Sequence, residues 1–207
     1  MKKKANIILI DLDGTLIDSS ERLYSLFQAL VPQCNLNKKQ YWKLKRAKVD
    51  HKTILAERYG FEPKEIDVFQ SKWIELIENK DWLGKDKIYK GIKEHLQALS
   101  KTSSLYLLTA RQKPTMVKYQ MDKMELTGLF DEIFVTGGRL LKDKLVLGLS
   151  LTASDWLIGD TGHDIEAGKR LGIKTACVTN GFLSRKSLLP YKADLVIPHF
   201  TKFSIDL

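Results

Sequence analysis

Short apolar runs alternate along the chain with longer segments in which apolar residues recur every three or four positions. The short runs have the length of strands buried on both faces, and the longer segments have the period of amphipathic helices. This alternation predicts a parallel sheet covered by helices, which is a doubly wound α/β fold. The predicted strands cover residues 7–10, 105–108, 133–135, 156–158 and 175–178, with an edge strand at 194–197 that ends before Pro198.

Two crossover helices are predicted between the later strands. One begins near Pro114 and turns Val117, Met121 and Met124 inward. The other covers residues 164–171 and is stopped by Gly172. A further apolar, helix-like run covers residues 145–149.

The connection after the first strand is far longer than the others. About 70 residues separate Leu16 from the next core helix near Gly91, whereas ordinary connections hold two to six. We predict that residues 17–86 form an inserted helical domain and that residues 1–16 and 87–207 form the core. Helical spacing recurs within the insertion at Leu23, Leu26, Phe27 and Leu30, and again after Pro63 at Ile66, Phe69, Trp73, Ile74 and Ile77.

The chain is basic, with 207 residues, a formal net charge of +9 and a pI near 9.4. This balance favours anionic partners, but it suits small phosphorylated substrates, nucleic acid or plain solubility equally well. The middle of the insertion is especially basic, and Tyr41, Trp42, Lys45 and Arg46 offer aromatic and cationic groups there. We count Arg46 among the candidate substrate contacts.

The sequence gives little indication of a targeting segment, a disulfide framework or a zinc site. The two cysteines, Cys34 and Cys177, lie far apart, which implies neither a disulfide framework nor a zinc site and fits a reducing, cytoplasmic setting. The start at residues 1–4 looks like a signal n-region, yet the apolar run that follows stops at Asp11. No stretch approaches the ~20 apolar residues that span a bilayer, so we expect no membrane partner.

Two carboxylates follow the first predicted strand directly. Asp11 and Asp13 share one face of an extended segment at the carboxyl edge of the sheet, where such folds bind ligands, and Gly14 permits the turn that follows. The pair therefore suits phosphate or metal chemistry. An ordinary Asp-Gly turn is the alternative for this segment alone.

A hydroxyl and a cation follow the second core strand. Thr109 and the backbone amide next to it at Ala110 could hold a phosphate oxygen, and Arg111 could contact the substrate. A simple helix cap explains Thr109 equally well if the segment is taken alone.

Two lysines precede the run at 145–149, and either could direct an ammonium to the same edge. We prefer Lys142 over Lys144, because Leu145 and Val146 would then begin a buried helix face one turn later. Lys144 stays a candidate for substrate binding.

Another pair of acids follows the strand at 156–158. Asp160 or Asp164 could complete an oxygen-rich Mg²⁺ site with Asp11 and the backbone of Asp13, while the other acid supports it. Alternatively, Asp164 only favours a helix N-terminus. His163 lies between the two acids and should be exposed, because Mg²⁺ prefers oxygen ligands.

In order and position, these four segments resemble the signature motifs of the haloacid dehalogenase-like superfamily, and the layout is similar to that of phosphoglycolate phosphatases. Residues 11–15 match its DxDGT motif, Thr109 its hydroxyl motif, Lys142 its lysine motif, and 159–164 its GDxxxD motif. The resemblance implies a Rossmann-like core and makes the insertion a C1-type cap that closes over the site and selects the substrate.

The same resemblance implies a mechanism. Asp11 would be the nucleophile that forms an aspartyl-phosphate, and Asp13 would protonate the leaving oxygen and then activate water. Thr109 and Lys142 would steady the phosphoryl group. Asp11, the carbonyl of Asp13, Asp160 and Asp164 would form the Mg²⁺ site. The function expected is hydrolysis of a small phosphate monoester.

Other functions stay open. A phosphomutase would use the same motifs, and a polynucleotide 3′- or 5′-phosphatase would use the basic stretch around Tyr41 and Trp42. A non-catalytic phospho-ligand binding protein would usually have lost one of the acids, yet all four are present. A signalling receiver module groups similar residues, but the long insertion argues against it.

Overall fold

The computed structural model describes residues 6–205. The lysines at the start of the chain, discussed above as a signal-like feature, lie outside this range. The strands are β1 (Asn6–Ile10), β2 (Ile17–Asp18), β3 (Lys87–Ile88), β4 (Ser103–Thr109), β5 (Glu132–Val135), β6 (Trp156–Gly159), β7 (Lys174–Val178) and β8 (Leu195–Ile197). The helices are α1 (Ser20–Leu30), α2 (Lys38–Arg46), α3 (His51–Tyr59), α4 (Pro63–Leu76), α5 (Lys80–Leu83), α6 (Ile92–Leu99), α7 (Pro114–Lys123), α8 (Lys142–Leu145), α9 (Gly162–Arg170) and α10 (Arg185–Leu188).

Two compact units emerge from this chain. One unit runs to Asp18 and resumes at Ile88, and the other is Ser19–Lys87. The sequence divides the chain at 16/17 and 86/87, and the role of the insertion as a cap stays a prediction. No helix within residues 6–205 is long and apolar enough to span a membrane.

The core unit holds a six-stranded parallel sheet in the order β5-β4-β1-β6-β7-β8. Ile10 pairs with Leu107 of β4 on one side and with Ile158 of β6 on the other. The predicted α/β class is confirmed, and β8 is the edge strand that was expected. Because β1 is central, the segments after β4 and β6 flank the one that follows β1.

Both faces of the sheet are buried, as expected for a parallel sheet. Ile8 and Ile10 point to one face and Leu9 points to the other, and all three are fully buried. On the first face Val117 and Met121 of α7 cover the strands as predicted. The other face is covered partly by α9, through Ala167.

The predicted apolar helix at 145–149 is wrong. Helix α8 is a single turn that ends at Leu145, and the chain then turns, with the Leu149 amide donating to the Val146 carbonyl. Val146 is buried against the sheet, whereas Leu147 is 68% exposed. Only part of the run therefore finds a core to pack on, and Gly148 disfavours continuing the helix.

The insertion folds around aromatic side chains. The ring of Phe27 lies 5.0 Å from that of Tyr41 and 5.4 Å from that of His51. Helix starts are well marked, because Asn37 forms a capping box with Gln40 and Pro63 occupies the first turn of α4.

Tyr41 and Ile74 of the insertion differ in exposure from what their sequence positions suggest. Tyr41 is fully buried and adds no aromatic surface to the basic stretch; its hydroxyl lies 2.8 Å from His51 Nε2. Burial of the ring is favourable because it removes apolar area from water. Ile74, which follows the helical spacing, is 51% exposed. Cys34 and Cys177 are free.

Candidate active site

Three neighbouring strands of the core deliver polar residues to one edge of the sheet. Asp11 follows β1, Thr109 ends β4 and Asp160 follows β6. The amide of Asp11 donates to the carbonyl of Ile158 at 2.9 Å, so the ladder between β1 and β6 continues up to the first acid. Parallel strands therefore bring together residues that are far apart in the sequence.

Three buried carboxylates converge there. Asp11, Asp160 and Asp164 each offer an oxygen, and these oxygens all lie within 4.8 Å of one another. Asp164 has two contacts, because its Oδ2 accepts from the Thr161 amide and hydroxyl at the start of α9 while its Oδ1 faces the cluster. The helix-capping role and the role in the acid cluster thus hold for the same residue.

Lys142 enters the cluster from α8. Its Nζ lies 2.5 Å from Asp11 Oδ1 and 2.5 Å from Asp164 Oδ1, and the side chain is buried. Lys144 is exposed. The preference for Lys142 over Lys144 is therefore supported by geometry.

The charges in the cluster are unbalanced. Burial raises the pKa of Asp11 to about 7, and neighbouring carboxylates add to the rise while the Lys142 charge opposes it. Burial, with Asp11 and Asp164 beside it, also raises the pKa of Asp160 well above its usual range. Burial works against ionised Asp164 too, but the Lys142 charge and hydrogen bonds outweigh it and lower the pKa. Lys142 and Asp164 form an ion pair. The negative charge that Asp11 and Asp160 can carry then favours binding of a cation.

The Asp160 carboxylate lies so close to Gly14 and Gly181 that only glycine fits at these two positions. Gly14 has a φ of +84°, and a Cβ added to Gly14 or Gly181 would overlap the Asp160 carboxylate. The Phe182 amide donates to Asp160 Oδ2 at 2.5 Å. Asp160 Oδ1 is buried and has no hydrogen-bond partner among the described residues. An acceptor oxygen of this kind, within an all-oxygen set of donors, fits a hard divalent cation.

Arg111 lies at the same edge of the sheet as the acids, and its contact with a substrate stays a prediction. It pairs with Asp13 through both ends of its guanidinium, Nε to Oδ2 at 2.5 Å and Nη2 to Oδ1 at 2.8 Å. Thr109 is buried and its hydroxyl accepts from the Arg111 amide at 3.4 Å, while Ala110 is exposed beside it. Asp13, Thr109 and Arg111 thus share the edge with the acid cluster.

Some residues near the site were not predicted from the sequence, and the roles predicted for others are not tested by the structure. Gln120 reaches Arg111 from α7, and no motif marks it. The Phe182 amide directly follows Asn180-Gly181, where the resemblance to the family continues beyond its four motifs. That resemblance was the only indication in the sequence that this amide belongs to the site. Arg46 ends α2 in the other unit and is half-buried, so its role in substrate binding stays a prediction. His163 is exposed, as expected.

Comparison with known proteins identifies the family. The family model for haloacid dehalogenase-like hydrolases matches residues 8–178. The chain belongs to the haloacid dehalogenase-like hydrolase family. That match contains all the motif residues described above, from Asp11 to Asp164.

Relatives of this hydrolase extend over nearly its whole length. It is 27% identical to a phosphoglycolate phosphatase of Aquifex aeolicus, covering 89% of each chain. It is 26% identical to an N-acetylmuramic acid 6-phosphate phosphatase of Pseudomonas putida, covering 93% of this chain and 91% of that one. A haloacid dehalogenase-like family hydrolase from Streptococcus pneumoniae has the same fold, with a TM-score of 0.70, 20% identity and 94% coverage of both chains. The prediction of a phosphatase of this superfamily is confirmed.

Proposed function

We propose that this protein is a Mg²⁺-dependent phosphatase that hydrolyses a small phosphate monoester, with Asp11 as the nucleophile. The observation that carries the proposal is the buried convergence of Asp11, Asp160 and Asp164 around Lys142, with Asp13 and Thr109 at the same edge. Structural ion pairs rarely gather three carboxylates around one ammonium, because each unpaired charge is costly to bury.

In the first half of the reaction, an Asp11 oxygen attacks phosphorus and the bond to the leaving oxygen breaks. Asp13 gives that oxygen a proton, and an aspartyl-phosphate remains on Asp11. In the second half, water attacks phosphorus, Asp13 takes its proton, and the bond to Asp11 breaks to release phosphate. Lys142 and the Thr109 hydroxyl would hold phosphoryl oxygens during both halves.

The metal site would use the same acids. Asp11, Asp160 and the carbonyl of Asp13 would hold Mg²⁺, with Asp164 supporting the site. When bound, Mg²⁺ supplies positive charge that offsets the repulsion between an anionic nucleophile and an anionic phosphate.

For the substrate we propose a small phosphate monoester that also carries a carboxylate. Two relatives are phosphatases of phosphoglycolate and of N-acetylmuramic acid 6-phosphate, and both of those molecules carry a carboxylate as well as the phosphate. The net charge of +9 is compatible with such an anionic ligand but does not distinguish it from other anions. We propose that the insertion closes over the site as a cap and selects among such substrates.

The central test measures phosphate release with Mg²⁺ and with EDTA for wild type and Asp11→Asn. We expect the substitution to lower turnover by at least about a thousandfold while the melting temperature stays close to wild type, because a carboxamide has the shape of the carboxylate but is no nucleophile. The substrates are phosphoglycolate, N-acetylmuramic acid 6-phosphate and a 5′-phosphorylated oligonucleotide.

The matched control is Asp67→Asn, which makes the same chemical change at an exposed position of α4. Full activity in Asp11→Asn, or equal release with Mg²⁺ and EDTA, would refute the proposal. Preference for the oligonucleotide would overturn the substrate class but not the chemistry.

A further inference from the structure

The contact between Arg111 and Asp13 joins two of the three strands that build the site. Asp13 lies just after β1 and Arg111 just after β4, and their side chains meet in a two-point ion pair with distances of 2.5 and 2.8 Å. The arginine side chain is 4% exposed and the aspartate side chain 18%. A paired geometry of this kind fixes the plane of the carboxylate as well as its position.

Arg111 is itself held on several sides. Its Nη2 also donates to Gln120 Oε1 at 2.9 Å, and Gln120 is buried beside the apolar residues Val117 and Met121 of α7. Its carbonyl accepts from the Gly137 amide at 3.0 Å. The carbonyl contact fixes the backbone of Arg111, and the contacts with Asp13 and Gln120 fix Nε and Nη2 of its guanidinium.

Asp13 keeps the capacity for proton transfer within this pair. A carboxylate oxygen has two lone-pair positions, so an ion pair with Arg111 does not by itself prevent Asp13 from exchanging a proton. When the proton leaves Asp13 for the leaving oxygen, the carboxylate that remains is the charge that Arg111 already faces. The arginine is thus placed to favour departure of the leaving group.

We propose that Arg111 is a positioning residue that orients the Asp13 carboxyl for proton transfer to the leaving oxygen, and that it does not bind the substrate phosphate. This inference rests on the proposed function, and it replaces our prediction from sequence that Arg111 contacts the substrate. Gln120 supports the same arrangement, because its Oε1 accepts from the Nη2 that also contacts Asp13.

The test compares two esters that differ mainly in the leaving group. Phenyl phosphate releases a basic phenolate that needs a proton, whereas 4-nitrophenyl phosphate releases a weakly basic one that does not. In Arg111→Lys, which keeps the charge but loses the two-point geometry, we expect kcat/KM to fall at least tenfold more for phenyl phosphate than for 4-nitrophenyl phosphate. Inhibition by inorganic phosphate should change less than twofold.

Further variants test whether the selective loss for phenyl phosphate arises from the orientation of Asp13. Asp13→Asn should show the same dependence on the leaving group, and adding Arg111→Lys to it should cause no further selective loss. Arg58→Lys, at an exposed position of α3, is the matched control and should leave both esters unaffected. If Arg111→Lys does not fold, Gln120→Ala keeps the ion pair and should give a smaller loss in the same direction.

Equal losses for the two esters, together with weaker inhibition by phosphate, would overturn the inference and make Arg111 a substrate contact. A wild-type enzyme that releases phosphate from no ester would instead refute the proposed function. The two failures are therefore distinguishable.

Discussion

Lys142 is the residue on which the charge balance of the site depends. It is the counter-ion for Asp11 and Asp164 together, and with Asp160 the cluster holds three acids and one base. Buried groups in such a set must share protons or bind a cation, because unpaired charges are costly away from water. The perturbed pKa values of the acids are the physical sign of a site built to bind something charged.

His51 in the insertion predicts an acid sensitivity of the fold. Burial lowers its pKa from 6.5 to about 3. Between these values the unfolded chain binds more protons than the folded chain, so the free energy of unfolding falls as the pH drops below 6.5, by at most about 1.4 kcal/mol per pH unit. In His51→Gln, denaturant unfolding followed from pH 7 to 4 should therefore show a flatter decline.

The comparison is with His163→Gln, which removes an exposed imidazole from α9. That variant should follow the wild-type curve across the same range. Parallel curves for wild type and His51→Gln would show that His51 takes no part in the acid sensitivity.

The limits of sequence reasoning are clearest for single side chains. Asp11, Asp160 and Asp164 could be chosen because their spacing and place at strand ends carry information. The contact of Arg111 with Asp13 could not be predicted, because it depends on how β1 and β4 align and on Gln120, which reaches the pair from a helix with no motif. The burial of Tyr41 could not be decided for a similar reason, since a basic helix does not reveal which way its aromatic residues turn.

Helix α8 is too short to hold its own position. It has four residues, and a single turn is unstable in isolation. Arg170 at the end of α9 donates to Asp143 Oδ1 through Nη2 at 2.7 Å and through Nε at 3.0 Å. This pair fastens α8 to the helix that carries Asp164, and Lys142 is the neighbour of Asp143. The ion pair therefore sets where the ammonium of Lys142 lies.

We expect Arg170→Ala to lower the free energy of unfolding by about 1 kcal/mol, because Asp143 loses its partner but the Arg170 side chain is 45% exposed and solvent screens the pair. The same change should weaken inhibition by inorganic phosphate, since Lys142 is no longer held in place. Denaturant unfolding and inhibition assays check the two effects. Lys169→Ala removes the adjacent exposed cation and should leave inhibition unchanged; weaker inhibition in that variant as well would point to a general loss of positive charge.

The strands were predictable and the short helix was not, for one physical reason. Strands such as β1 and β6 are apolar runs buried on both faces, so their composition alone marks them. The run at 145–149 is equally apolar, but Leu147 stays exposed, while Val146 is buried and Leu145 and Leu149 pack only partly against the same core. Composition records how apolar a segment is, whereas its conformation depends on what it packs against.

For the molecule as a whole, the acid cluster predicts that Mg²⁺ stabilises the fold. A cation that binds only the folded chain adds about 2.7 kcal/mol when its concentration is one hundred times its Kd. Thermal unfolding in Mg²⁺ and in EDTA, at matched ionic strength, should show a higher melting temperature with the metal.

Asp160→Asn separates this effect from general salt effects. Without Mg²⁺ the variant should melt at a higher temperature than wild type, because it removes a carboxyl group whose ionised form is disfavoured by burial and by Asp11 and Asp164. It should also lose the shift that Mg²⁺ causes. A shift of wild-type size in the variant would place the metal elsewhere.

The central position of β1 has a consequence for how the protein is made. The first strand leaves the ribosome early, but its neighbours in the sheet are β4 and β6. Asp160 and Asp164 follow Asp11 by roughly 150 residues, so translation separates them by on the order of ten seconds. During that time the nascent chain carries Asp11 and Asp13 but neither Asp160 nor Asp164, the two acids that join Asp11 in the buried cluster. We therefore expect any chain that ends before Asp160 to lack this cluster and to release no phosphate.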